Sequence, residues 1–303
     1  MDKNTNELTV SDTIGSALKS LLPEAEWQWL SSEVENLKAN LSAGTVARVF
    51  TSLPRHLRSG NTSVVPTLEK VSGPDGGLLL QVDGWPVTRL ARVWVLTAIP
   101  KVAEADYVQL IERLFKYGDM EELTALYSAL PVYHYPEAWV PRCQEGIRSN
   151  IGPVRHAVMA DNPYPAGLLE EEAWNQLVLK AFFTEEDVPS IFGLKRRNNR
   201  KLAEALTDYA YERYAAKREI NPMLWVLVGP FVDGRAFDLM KRIMDDGGPS
   251  LEKQAIVYAF KQSDYAPAGE YLRAQGVPTS LMESDGTPWE GWDKETVDTN
   301  KQI

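Results

Sequence analysis

LLEEEAWNQLVLKAFF, residues 168–183, is the stretch whose reading decides the fold. Ala173, Trp174, Leu177, Val178 and Ala181 recur at the spacing of one helix face, so the segment is expected to be an amphipathic helix buried along that face. Glu172, Gln176 and Lys180 form a polar line, each four residues from the last. Glu170, Glu171 and Glu172 fall in the first turn, where negative charge favours the helix dipole. Asn175 and Leu179 lie on the adjoining face.

Working outward, the same period recurs along most of the chain. Upstream, helices are expected at about 11–22, 24–41, 45–57, 87–98, 104–117, 119–130, 136–149 and 152–160. Downstream, they are expected at about 199–217, 221–228, 235–246, 250–262 and 265–275. Breakers such as Pro23, Pro100, Gly118, Pro131, Gly152-Pro153, Gly193, Pro222 and Gly247-Gly248-Pro249 fall between them. Ser11 or Asp12 is the expected cap of the first helix. The pair Asn162-Pro163 and Tyr164-Pro165 reads as a turn held extended by its prolines. Leu78–Val82 has the composition of a short strand, but no alternating pattern supports a sheet. The expected fold class is all-α, either an irregular helical-repeat superhelix of armadillo or HEAT type or a compact helical array. Residues 1–10 read as a flexible leader and 11–276 as one helical domain with a long loop at 58–86. Residues 277–303 read as a tail.

The 303 residues carry 32 basic and 42 acidic side chains, a net charge of −10, which argues against nucleic acid as a partner. The basic cluster Lys195, Arg196, Arg197, Arg200 and Lys201 has no aromatic residues among it and reads as a solvated loop and helix start. A single cysteine, Cys143, fits a reducing compartment and reads as a buried, inert thiol. The N-terminal residues lack a signal pattern, and no window has the roughly 20 apolar residues of a membrane span. Cytoplasmic residence without an integral membrane segment is therefore expected.

No phosphate-binding glycine loop, dinucleotide fingerprint, nucleophile elbow or zinc spacing is present in the sequence. No cofactor and no metal are expected, and no catalytic residue can be named. His56, His134 and His156 are dispersed. Asp245-Asp246 resembles half of a magnesium-binding carboxylate motif with no second half at the needed spacing. In residues 199–217, Leu202, Ala205, Leu206, Tyr209, Ala210 and Tyr214 mark a stripe, and Arg213 falls on it. A buried arginine needs an acid such as Asp208 or Glu212, or a ligand anion. The polar residues Asn150, Asn162, Tyr164, Asn175, Lys180, Tyr209 and Arg213, with Trp174 as an apolar wall, thus admit two readings. One is a structural network and the other a ligand-binding cleft. In the cleft, Asn175 and Tyr164 would exchange hydrogen bonds with the ligand, and Lys180 and Arg213 would hold an acidic group.

An ordered series of motifs resembles the EboA family of bacterial metabolite-traffic proteins. It comprises Asn162-Pro163-Tyr164-Pro165-Ala166, the run Trp174–Phe183 and Ile191-Phe192-Gly193-Leu194. It continues through Arg197-Asn198-Asn199, Leu206–Ala216 and Leu224-Trp225-Val226-Leu227-Val228-Gly229-Pro230. Weaker pieces are Trp85 with Arg92-Val93-Trp94 and Arg148-Ser149-Asn150, so the resemblance spans about residues 85–230. Two features depart from the family pattern. Val226 stands where an arginine is usual, and Arg200-Lys201 stand where a proline and an acid are usual. The resemblance implies an all-α, armadillo-like body that helps move a secondary metabolite or its precursor. It also implies a biosynthetic neighbourhood containing a prenyltransferase-like membrane protein and sugar-phosphate-type enzymes. The expected partner is a small biosynthetic metabolite, with a pathway enzyme or membrane protein as a further one. A cofactor-independent cyclase or isomerase acting on an apolar aromatic or terpenoid intermediate, with Tyr164, Lys180, His156 or a carboxylate transferring protons, and a helical scaffold for a pathway enzyme, are the alternatives.

Overall fold

The computed structural model describes residues 9–59, 64–65, 71–72, 79–246 and 250–275. Residues 1–8 of the expected leader, the expected tail and much of the 58–86 connection lie outside the described residues. The chain is all-α, with fifteen α-helices among the described residues and one short antiparallel ladder, Val71–Ser72 with Leu79–Leu80. The expected strand at 78–82 is represented by Leu79–Leu80. The chain divides after Leu169 into two compact units.

The first unit holds α1 (Val10–Leu21), α2 (Glu24–Ala39), α3 (Ala43–His56), α4 (Val87–Thr97), α5 (Glu104–Tyr117), α6 (Met120–Ser128), α7 (Val140–Arg148), α8 (Gly152–Met159) and α9 (Tyr164–Leu168). Thr9, rather than Ser11 or Asp12, caps α1. Its hydroxyl accepts the Asp12 N–H at 3.2 Å while its own N–H donates to the Asp12 carboxylate at 3.1 Å. This is the reciprocal arrangement that satisfies two orphan donors at once.

Helix α4 is the buried axis of this unit, packed against α1, α3 and α6. Val87, Leu90, Ala91, Val93, Trp94, Val95 and Leu96 are all buried, and Thr88 and Arg92 are buried with them, so most of the helix surface is enclosed. Its Trp94 indole donates to the Ser11 carbonyl at 2.8 Å and its ring stacks on Trp27. Next to it, Tyr107, Phe115, Tyr127, Tyr133 and Trp139 form a cluster of edge-on and tilted rings. Cys143 is buried, and burial pushes its thiol pKa far up, so it is inert.

Helix α9 corrects the sequence reading of an extended turn. Pro163 and Pro165 sit at the start of a helix. There a missing N–H costs nothing, because first-turn donors have no intrahelical partner anyway. Tyr164 precedes a proline and is nevertheless helical, against its local preference. The compensation is visible: its N–H donates to Asn162 Oδ1 at 3.0 Å, closing an Asx turn around Pro163.

The second unit holds α10 (Glu171–Phe183), α11 (Arg200–Ala215), α12 (Met223–Val228), α13 (Gly234–Asp245), α14 (Ser250–Lys261) and α15 (Ala266–Ala274). In α10, Trp174, Leu177, Val178 and Ala181 are buried while Glu172 and Gln176 are exposed, as the spacing of residues 168–183 predicts. Helix α11 is rotated from expectation. Its buried face is Leu202, Ala203, Leu206, Thr207 and Ala210, leaving Tyr209, Arg213 and Tyr214 half-buried at its margin. Thr207 can be buried because its hydroxyl donates to the Ala203 carbonyl at 2.8 Å. Trp225 of α12 is fully buried and donates its indole N–H to Glu252 of α14 at 3.1 Å.

That carboxylate yields a pH prediction. Burial, with Glu219 adding to it, raises the Glu252 pKa above 4.5. The native state therefore keeps its proton to higher pH than the unfolded chain, and stability falls as pH rises through that window. Glu252→Gln retains an acceptor for Trp225 and loses the charge. It is expected to stabilise the protein at pH 8 by on the order of 1 kcal/mol and to have little effect near pH 4. Melting temperatures of both proteins across that range are the check.

Candidate functional site

The first unit contains a cavity of 270 Å³ lined by residues from its buried helix and from the end of α8. One wall begins at the turn Val82–Trp85. The Trp85 N–H donates to the Val82 carbonyl at 3.1 Å, and Gly84 takes φ +74°, which favours glycine. The Trp85 carbonyl accepts the Val65 N–H at 2.8 Å, fixing the turn from the other side. Pro86 then opens α4. Arg89 follows within the first turn, its guanidinium over the Trp85 ring at 5.6 Å from the centroid.

The opposite wall is the end of α8, with His156, Ala157 and Ala160, followed by Asp161 and Asn162. Asp161 has φ +52°, a left-handed conformation that side chains other than glycine rarely take. Such strain persists where surrounding bonds impose it, and here the next residue supplies them. Asn162 is 5% exposed and makes three hydrogen bonds. Its amide donates to the Tyr127 carbonyl at 3.2 Å and to the Ala157 carbonyl at 2.9 Å, and its Oδ1 accepts the Tyr164 N–H.

Two arginines lie on α4, one turn apart. Arg92 is 3% exposed, with its guanidinium over the Phe50 ring at 5.7 Å. The Nε of Arg89 and the Nε of Arg92 are both buried and lack a hydrogen-bond partner among the described residues. Burial lowers both pKa values from the usual guanidinium range. Glu121 opposes this at Arg89, and Glu122, Asp119 and Glu121 oppose it at Arg92. A second cavity of 330 Å³, lined in part by Tyr127, Arg142 and Arg148, differs in this respect. Its Arg142 is neutralised by Glu112 at 2.8 Å and Glu145 at 2.6 Å.

The eight residues proposed from the sequence divide between the units. In the first, Asn162 lines the 270 Å³ cavity. Tyr164 is fully buried behind it, its hydroxyl donating to the Pro136 carbonyl, and burial raises its pKa far above the usual phenol range. Asn150 is exposed between α7 and α8. In the second unit, Asn175 and Asn199 exchange amide bonds at 3.2 and 2.9 Å, and Asn199 also caps α11 by accepting the Leu202 N–H at 2.9 Å. Trp174 is fully buried beneath Arg197, 4.9 Å from its guanidinium. Lys180 is half-buried on α10. Tyr209 packs on Phe183 at 4.6 Å and its hydroxyl reaches the Phe182 carbonyl at 3.5 Å.

Arg213 overturns the expectation of a buried arginine paired with an acid. Its Nε donates to the Glu219 carbonyl at 2.8 Å, beyond the end of α11, where a cation also suits the helix dipole. Asp208 is instead bound to Arg235. The basic cluster is partly engaged as well, with Lys201 on Glu171 at 3.0 Å and Arg200 over the Phe231 ring. Asp245 and Asp246 each accept a tyrosine hydroxyl, from Tyr271 and Tyr214. No cluster of metal-ligating side chains occurs among the described residues.

Sequence reasoning passed over Arg89 and Asp161 as site residues. A signal for Arg89 was present. Apolar residues occupy most positions of 87–97, so the helix is largely enclosed, with Arg92 buried and Arg89 half-buried on it.

The model of the metabolite traffic protein EboA family matches residues 10–229. The chain belongs to the EboA family. The match begins at α1 and so reaches well ahead of the motifs from residue 85 onward, taking in the first unit with its cavity. No curated protein and no solved structure matches the chain. No helix among the described residues of this EboA-family chain is long and apolar enough to cross a membrane.

Proposed function

We propose that this EboA-family chain binds a small biosynthetic metabolite in the cavity between Trp85 and Asn162 and hands it on without bond chemistry. The single observation behind this reading is that cavity. Its 270 Å³ lies just below the usual range of ligand pockets, roughly 300–1,000 Å³, which suits a small ligand, and its lining sets one indole among several polar groups. The family's description as a metabolite traffic protein points the same way. Cytoplasmic residence, and a pathway enzyme or membrane protein that receives the metabolite, belong to the same proposal. Asn175, Lys180, Tyr209, Arg213 and Trp174 serve as braces of the second unit, and Tyr164 as the brace behind Asn162. Asn150 has no part in the cavity.

The experiment is retention. Purified protein is incubated with an extract of cells that run its pathway, then washed, and the bound small molecules are identified by mass. Wild type is expected to retain a compound of unchanged mass, and Ala160→Phe, which fills the cavity, to lose at least about nine-tenths of it. Equal retention by the two proteins would end the cavity reading. A retained compound converted by wild type and not by His156→Ala would favour the isomerase reading, since His156 lines the same space.

A further inference from the structure

We infer that this cavity takes a metabolite bearing a carboxylate or phosphate group, read by Arg89 with Arg92 behind it; the inference rests on the proposed cavity function. Three observations carry it. First, α4 carries two guanidinium groups one turn apart, one buried and one half-buried, and like charges at that spacing repel. Secondly, each has a buried Nε without a hydrogen-bond partner among the described residues. A buried cation is held by a partner or by an anion it binds, and an incompletely bonded one is destabilising. Thirdly, only Arg89 of the two lines the cavity, and its side chain is half-buried; its Nε is enclosed, so an incoming acid would meet the terminal edge of the guanidinium. The comparison with the second cavity sharpens this. Arg142 there is bonded to two carboxylates.

The geometry also limits the ligand. Arg89 covers one face of Trp85, so the acid would dock at the guanidinium edge, where the planar fork suits two oxygens of one group. Arg92 does not line the cavity; its charge lies one turn further along α4, partly offset by Glu122, Asp119 and Glu121. It acts on the anion through the field and not through contact.

The test uses the full-length protein with two probes, inorganic phosphate and benzoate, each against sodium chloride at equal ionic strength. Wild type is expected to gain melting temperature with at least one, and the responding probe tells phosphate from carboxylate. Arg89→Met is expected to weaken the response about tenfold or more, and Arg89→Lys, which keeps the charge without the fork, to weaken it less. Without probe, Arg89→Met is expected to melt no lower than wild type, because the half-buried guanidinium loses solvation, is repelled by Arg92 and leaves its Nε unbonded, which outweighs the attraction of Glu121. A probe response that survives Arg89→Met, or no response in wild type, overturns the inference. Failure of the anion is separable from failure of the cavity. If Ala160→Phe abolishes extract retention and Arg89→Met leaves it intact, the cavity stands and the anion falls.

Discussion

Asn162→Ala is expected to destabilise the protein by about 2–4 kcal/mol, a large effect for a single polar side chain. Three bonds are lost together: two from the amide to the Tyr127 and Ala157 carbonyls, and one to Oδ1 from the Tyr164 N–H. The last of these holds α9 in its start and keeps Asp161 in its left-handed conformation. Asn162→Asp separates the contributions. It keeps the acceptor for Tyr164 and turns a carboxylate toward two carbonyl oxygens, so it is expected to be worse than alanine at pH 7 and to recover as the carboxyl is protonated. Denaturant melts at pH 7 and pH 4 would read this. Equal stabilities of the alanine and aspartate variants at both pH values would mean that the amide bonds contribute little.

Gly146→Ala is the second large effect, expected at about 1–3 kcal/mol from overpacking. Helix α7 crosses α8 and α6 so closely at this point that a Cβ would lie 2.6 Å from Val158 Cγ2 and 2.7 Å from Tyr127 Cε1. Those neighbours are ring and β-branched atoms inside a packed cluster, and they cannot swing away as the end of a flexible chain could. The cluster includes Tyr127, whose backbone carbonyl receives the Asn162 amide, so the variant also bears on the cavity wall. A Gly146→Ala protein that melts within 1 °C of wild type, on the scale of about 2–4 °C per kcal/mol for a chain of this size, would show that α7 can move aside cheaply.

The helical architecture was legible because its signal is redundant. The 104–117 expectation coincides with α5, and 152–160 and 235–246 fall within a residue at each end of α8 and α13, since apolar period and breakers agree there. Residues 162–168 misled because two prolines outweigh local pattern in a sequence reading. The bond that makes them helical comes from a side chain whose role shows only in three dimensions. Arg213 misled for a different reason. Stripes at Leu202, Leu206 and Ala210 leave the helix's rotation uncertain by one position either way, and small residues such as Ala203 and Thr207 decided it.

The candidate site was legible only in part. Asn162 stood out, yet its cavity partners Trp85 and Arg89 lie more than seventy residues earlier, across a long connection. No spacing rule links such positions. Of the second-unit residues proposed with it, Asn175 exchanges bonds with Asn199 and Arg213 bonds the Glu219 carbonyl, both within that unit. Polarity within a helical pattern marks a constraint, and the constraint is more often a helix cap or a brace than a ligand.

The proposed function comes down to a location, a small metabolite seated between the Trp85 turn and the end of α8. Hydrogen–deuterium exchange on the full chain, with and without the compounds retained from pathway extract, reads that location. Slowed exchange is expected in the peptides covering 82–90 and 156–162, with α10 and α11 unchanged. Protection confined to α10 and α11, with none at Trp85, Arg89 or Asn162, would contradict it.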